Sequence, residues 1–157
     1  MQNGQELIRR KVTRLWQMAG NFVNEERGSE HNLNVNARCA RGGSVVCEKW
    51  TSPITFLGWE VGASVITGDN LPAEDALAQA MADHGHPGGR SSWDPMTACA
   101  ALCGSAEAAG YTSVRGWVHV DPVTGENSFR RDPAGNHEYL VKIHSDAYYA
   151  AQINTVL

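Results

Sequence analysis

The sequence predicts an α/β fold, a sheet with flanking helices and a C-terminal β-hairpin, on three observations. Ile54, Phe56, Leu57, Trp59, Val61 and Val65 make a near-continuous apolar run across Pro53–Val65, as in a strand buried on both faces. Pro72–Asp83 carries the apolar stripe of a helix: Leu71, Ala76, Leu77, Ala80 and Met81 recur at helical spacing, with Glu74 and Asp75 in the first turn. Val114–Val120 and Asn127–Arg131 flank DPVTGE, a turn signal, and so read as a hairpin.

The remaining elements follow in chain order. Residues 5–11 read as a helix end and Val12–Met18 as a strand stopped by Ala19-Gly20. Asn21–Asn36 is polar and rich in Asn, a loop. Val35–Trp50 is ambiguous, a helix interrupted by Gly42-Gly43, each of which costs about 1 kcal/mol inside a helix. His84–Ser92 is a Gly/Pro/Ser loop, and Asp94–Cys103 an Ala-rich helix with Pro95 in the first turn. Ser105–Ala109 extends it as a short continuation. His137–His144 alternates as a strand, and Ser145–Leu157 closes the chain as a helix capped by Ser145. No repeat or low-complexity linker divides the 157 residues, which suffice for one domain with its own core.

Composition narrows the function classes. A chain 42% hydrophobic and 19% charged fits a soluble globular protein. Its net charge of −4 speaks against a nucleic-acid partner. The densest basic stretch, Arg9, Arg10, Lys11 and Arg14, reads as a solvated helix end. No run of 18 apolar residues occurs, and MQNGQELIRRKV lacks the apolar centre of a secretory leader. The expectation is a cytoplasmic protein without a membrane partner. Cys39, Cys47, Cys99 and Cys103 form no CxxC pair and read as small core residues of a reducing compartment. Cys99 and Cys103 share a helix face and are the alternative metal pair.

Three places carry chemistry beyond a packed core. Asp94 sits where a helix begins, after Ser91 and Ser92; it is either a helix cap or a site carboxylate at the end of a sheet. Glu60 lies inside the apolar run between Gly58 and Gly62, so it must be paired or face a cavity. Ser29-Glu30-His31-Asn32, followed by Asn34 and Asn36, supplies a carboxylate and amides on one loop. Such groups orient hydroxyls, as a sugar requires, and also occur in ordinary Asn-rich loops.

The order of VTRLWQMAG, SEHN, PITFLGWEVGASVITG and GRSSWDP, followed by the hairpin and last helix, resembles the C-terminal half of the inosine–uridine-preferring nucleoside hydrolases, the nucleoside N-ribohydrolases. The resemblance covers nearly the whole chain. It looks closest to the branch with Trp-Asp where other members have His-Asp. It implies the C-terminal half of a Rossmann-type sheet and hydrolysis of the N-glycosidic bond of ribonucleosides. In that family a calcium ion binds the ribose 2′- and 3′-hydroxyls and the attacking water. By resemblance Asp94 is a calcium ligand, Glu30 and Asn32 hold the ribose 5′ end, and Met18 and Asn21 line the sugar pocket. Trp93 replaces the histidine that protonates the leaving base, with His84 and His86 in the adjacent loop as candidate acids, and Glu60 becomes a landmark near the pocket.

The family's Asp-rich strand end, DTDxGxDD, is not in these residues, which hold no Asp-Asp or Asp-x-Asp. Hydrolysis is therefore expected only when an Asp-rich N-terminal half completes the site. The alternative is a non-catalytic module that binds nucleosides, ribose or a protein surface. A third reading is a structural subunit alike in fold alone. Pairing through an exposed strand, Val12–Met18 or Pro53–Val65, with that half or in a homo-oligomer, follows from the half-sheet.

Overall fold

Asn3 opens the first helix, α1 (Gly4–Lys11), its side chain accepting from Gln5 N at 3.2 Å. This computed structural model describes residues 3–157. α1 buries none of its residues, and Arg9 pairs with Glu6 at 2.7 Å, which suits a solvated helix end. Arg14 departs from that reading: its guanidinium is half-buried on Thr55 and Glu138 and lies over the Trp16 ring.

Strand β1 (Leu15–Met18) leads into a polar segment that is not all loop. Glu30 caps a helical turn, α2 (His31–Asn34), and Asn36 caps α3 (Ala37–Lys49) through bonds from Arg38 N and Cys39 N. α3 runs unbroken through Gly42-Gly43. Its Gly43 faces α2, where a Cβ would stand 2.7 Å from Leu33 Cδ2, so close packing outweighs the propensity cost.

The apolar run Pro53–Val65 is not one strand. β2 (Ile54–Leu57) is wholly buried, and the chain then turns at Gly58 into α4 (Trp59–Gly62). Trp59 N donates to Gly20 O at 2.8 Å, so the loop after β1 seeds that turn. Glu60 therefore sits on a helical turn, not in a strand. After it come β3 (Ile66–Thr67), α5 (Ala76–Asp83, capped by Asp75) and β4 (Arg90–Ser91). α6 (Trp93–Cys103) begins at Ser92, which places Asp94 inside the first turn and excludes it as the cap. Residues 105–109 are a turn after Gly104, not a helical continuation. The hairpin forms as expected from β5 (Tyr111–Val120) and β6 (Asn127–Arg131), and β7 (His137–Lys142) and α7 (Asp146–Asn154) complete the chain.

The strands make one five-stranded mixed sheet, ordered β1-β2-β7-β5-β6, and β3 and β4 a separate two-stranded ribbon. β1, β2 and β7 are parallel; β5 runs antiparallel to β7 and β6. Alternation along the strands fills both faces. Ile54, Phe56 and Tyr139 join Phe22, Leu33 and Phe129 on one face. Leu57 and Leu140 join Val61, Met96, Tyr149 and Ile153 on the other. Each fully buried Phe, Leu or Ile contributes about 2 kcal/mol. β2 is thus interior and cannot be the open edge; β1 is an outermost strand and can. No helix among the described residues is long and apolar enough to cross a membrane.

Candidate functional site

The parallel strands β1 and β2 end at the same side of the sheet, where their loops, α2, α4 and the start of α6 enclose a cavity of about 290 Å³. In open parallel sheets this is where ligands bind. Met18 at the end of β1, Glu30 and Asn32 at α2, and Trp93 and Asp94 on α6 all line it. These expected site residues, dispersed in sequence, meet in one cavity. Asn21 lines an adjoining cavity of about 360 Å³ with Ser29, Asn34 and Trp59, and Glu30 borders both.

Glu30 is buried at 4% exposure but is not free. Its Oε1 accepts from Asn32 N at 2.8 Å and its Oε2 from Gly20 N at 3.3 Å. One carboxylate thus fixes both the turn after β1 and the start of α2. Asn32 is exposed and lines the cavity, and its amide Nδ2 donates to Met18 Sδ at 3.2 Å. Asn21 is held by β6: its N–H donates to Asn127 Oδ1 at 3.0 Å and Asn127 Nδ2 donates back to its carbonyl at 3.0 Å.

Two indoles, Trp59 and Trp93, also line the cavity. Trp93 Nε1 donates to the Trp59 carbonyl at 2.8 Å, tying α6 to α4. The approach is close: a Cβ on Gly62 would stand 2.7 Å from Trp93 Cα, so that position takes only glycine. Trp59 is 44% exposed, a large apolar face left open at a cavity. Ser91 Oγ donates to Ala63 O at 2.8 Å and Ser92 Oγ bonds Thr67 Oγ1 at 2.6 Å, anchoring the entry to α6.

Glu60 follows Trp59 on α4. Its carboxylate accepts from Phe22 N at 3.2 Å and binds the loop after β1 to α4. Burial pushes its carboxyl up from the ordinary glutamate value, opposed by its backbone donors and by Lys142. Its role is to join two site loops; it does not line the cavity.

The described residues do not by themselves make a calcium cage. Calcium takes six to eight oxygen ligands. Asp94 has no hydrogen-bond or ion-pair partner among the described residues, whereas both Glu30 oxygens are occupied by backbone donors. Among the described residues no group of three or more His, Cys, Asp or Glu side chains is placed to hold a metal ion, so Cys99 and Cys103 have no third such ligand beside them. Cys47 is a core thiol that burial pushes up to about 12.

His84 and His86 are exposed and do not line the cavity; His31 does. Trp59, hidden in an apparent strand, and Arg90, in an apparent loop, line the cavity without a role read from the sequence, while His31 belongs to the Ser29–Asn32 cluster that the sequence singles out. The unpaired arginine before the SSWD motif was the available signal for Arg90. Compared with family models, curated proteins and solved structures, the chain matches none.

Proposed function

We propose that this chain is the sugar- and base-binding part of a nucleoside-hydrolase-like site. Glu30, Asn32 and Met18 face the ribose, and Trp59 and Trp93 take the flat base between apolar faces. The observation that carries this reading is the meeting of Met18, Glu30, Asn32, Trp93 and Asp94 in one cavity at the ends of β1 and β2. A cavity lined by both polar side chains and two indoles offers groups for the two halves of a nucleoside, its sugar and its base. Its volume lies at the small end of the range for ligand pockets.

Hydrolysis of the N-glycosidic bond needs a base to activate water and stabilisation of the oxocarbenium-like sugar. Asp94 is the one uncommitted carboxylate lining the cavity. The base and a calcium site therefore require further carboxylates, from an Asp-rich segment outside these residues. β1 has a sheet neighbour on one side only and ends at Met18, so a strand added there would bring its own end beside the cavity. That segment, carried on another chain, is the proposed partner; a second copy paired through β1 would supply no Asp-rich strand end.

The second reading, a non-catalytic nucleoside-binding module, is favoured by the same shortage of carboxylates. Calorimetry with inosine, uridine and ribose, together with a ribose-release assay with and without calcium, tests the binding that both readings share and the need for outside carboxylates. Saturable nucleoside binding without release by the chain alone is expected. Absence of binding overturns both readings. Release by the chain alone overturns the requirement for outside carboxylates.

A further inference from the structure

We propose that Met96, Cys99 and Cys103 form a binding site for a single copper(I) ion on α6. The site is independent of the nucleoside reading, since α6 meets that cavity at its other end, through Trp93 and Asp94.

Helical spacing puts the three sulfurs together. Residues three and four apart are neighbours on a helix surface, with Cβ atoms about 5–6 Å apart. Met96, Cys99 and Cys103 therefore share one stripe of α6, within an arc of about 60°. All three line one small cavity, with Tyr111 of β5 and with Tyr149 and Gln152 of α7. Its volume is about 20 Å³. That is room for one water-sized body and too little for an organic ligand. Burial, and next the neighbouring Cys103, hold the Cys99 thiol above its ordinary value, so the two thiols stand close enough to interact. The backbone beneath them is fixed: Gly104, at φ +77°, closes α6 by donating to the carbonyls of Ala100 and Ala101.

The donor set selects the ion. Both thiols are free, and Cys103 is exposed, unlike the core residue that its type suggests. Cys99 is half-buried and Met96 is 1% exposed, so the sulfurs run from solvent into the core and give an ion a way in. Among the described residues no third His, Cys, Asp or Glu joins the two cysteines, which leaves a zinc ion short of its four ligands. The Tyr149 hydroxyl is committed: it donates to the Gly110 carbonyl and accepts from Ile143 N at 3.2 Å. Two thiolates and a thioether remain, and such soft sulfur ligands select copper(I). Each thiol gives up its proton to solvent as its S–Cu bond forms, the thioether adds as a neutral donor, and nothing is oxidised or reduced.

The test is a titration of the reduced, intact chain with copper(I) under argon, in competition with the chromophoric chelator bicinchoninate. The wild type is expected to hold one copper(I) per chain. Cys99→Ser and Cys103→Ser should each bind at least about tenfold more weakly, since loss of even an outer-shell partner of a metal costs roughly 10- to 100-fold. Met96→Leu conserves volume and should also bind more weakly, with X-ray absorption counting two sulfurs on the copper in place of three. Cys39→Ser, on α3, should change nothing. Iodoacetamide labelling of the wild type needs no variant to fold: copper(I) should protect Cys99 and Cys103 and leave Cys39 open. No copper(I) held against the chelator, unchanged binding in Cys99→Ser or Cys103→Ser, or protection of Cys39 in place of the pair overturns the site. Three sulfurs that persist on the copper in Met96→Leu overturn the part of Met96 in it.

Discussion

The indole of Trp93 donates to the backbone carbonyl of Trp59 at 2.8 Å, so one hydrogen bond both joins α6 to α4 and sets two aromatic faces on the same cavity. The bond explains why a strand-like run breaks at Gly58. Trp59 must leave the sheet for its carbonyl to reach Trp93.

Replacing Trp93 separates these roles. Trp93→Phe removes the hydrogen bond and keeps an aromatic face; it is expected to cost about 1 kcal/mol of stability and little nucleoside affinity. Trp93→Ala also removes the stacking surface and should weaken nucleoside binding by about 1–3 kcal/mol while leaving free ribose nearly unaffected. Calorimetry with inosine and ribose in parallel reads the split.

Gly62→Ala tests the close approach of α4 and α6. The added Cβ meets Trp93 backbone at 2.7 Å, and backbone cannot swing aside. A loss of about 1–3 kcal/mol, measured by urea unfolding, is expected. An unchanged midpoint would mean that the two helices are not pressed together there.

Glu30 and Asn32 stand two residues apart and should behave in opposite ways. Glu30→Ala strips the acceptor from two backbone N–H groups, at Gly20 and Asn32, and should cost about 1–3 kcal/mol of stability. Asn32→Ala removes an exposed amide that touches only Met18 Sδ, so stability should change by less than about 0.5 kcal/mol while ribose and nucleoside binding weaken. A large stability loss with unchanged binding in Asn32→Ala would make this residue structural.

Glu60 gives a pH signature. Burial raises its folded-state value above the unfolded one, so the folded chain holds the proton more tightly. Its contribution is full below the unfolded glutamate value and is lost as pH rises through the raised folded value. Glu60→Gln retains an acceptor for Phe22 N and carries no charge. Thermal unfolding from acid to neutral pH should show this variant losing less stability than the wild type as pH rises.

Much of this arrangement was legible in the residues, and the failures share a cause. The hairpin, β7, α7 and the start of β2 follow from local periodicity and turn residues. Asn32 and Asp94 stand out by residue chemistry and Met18 by the resemblance, and all three line the cavity. Glu60 was misplaced because ITFLGWEVGASV is apolar almost throughout, and periodicity cannot tell a buried strand from a strand that bends into a buried helical turn. The bend is set by Gly20, Trp93 and Phe22, which are remote in sequence. α3 reads as ambiguous because Gly42-Gly43 weakens a helix locally, whereas Leu33 packing makes Gly43 necessary. Arg90 was missed because its β4 pairing depends on Thr67, beyond the reach of its own loop.

The central claim is that ribose and base meet in the cavity between Asn32 and Trp93. The most direct measurement is an NMR titration of the isotope-labelled chain with inosine, following the amide of Asn32 and the indole N–H signals of Trp59 and Trp93. Saturable shifts at all three, with the Asn32 amide alone among them moved by ribose, are predicted. Inosine that leaves these signals unmoved, or that shifts only residues of the far end of the sheet such as Arg14 and Arg115, would contradict the account.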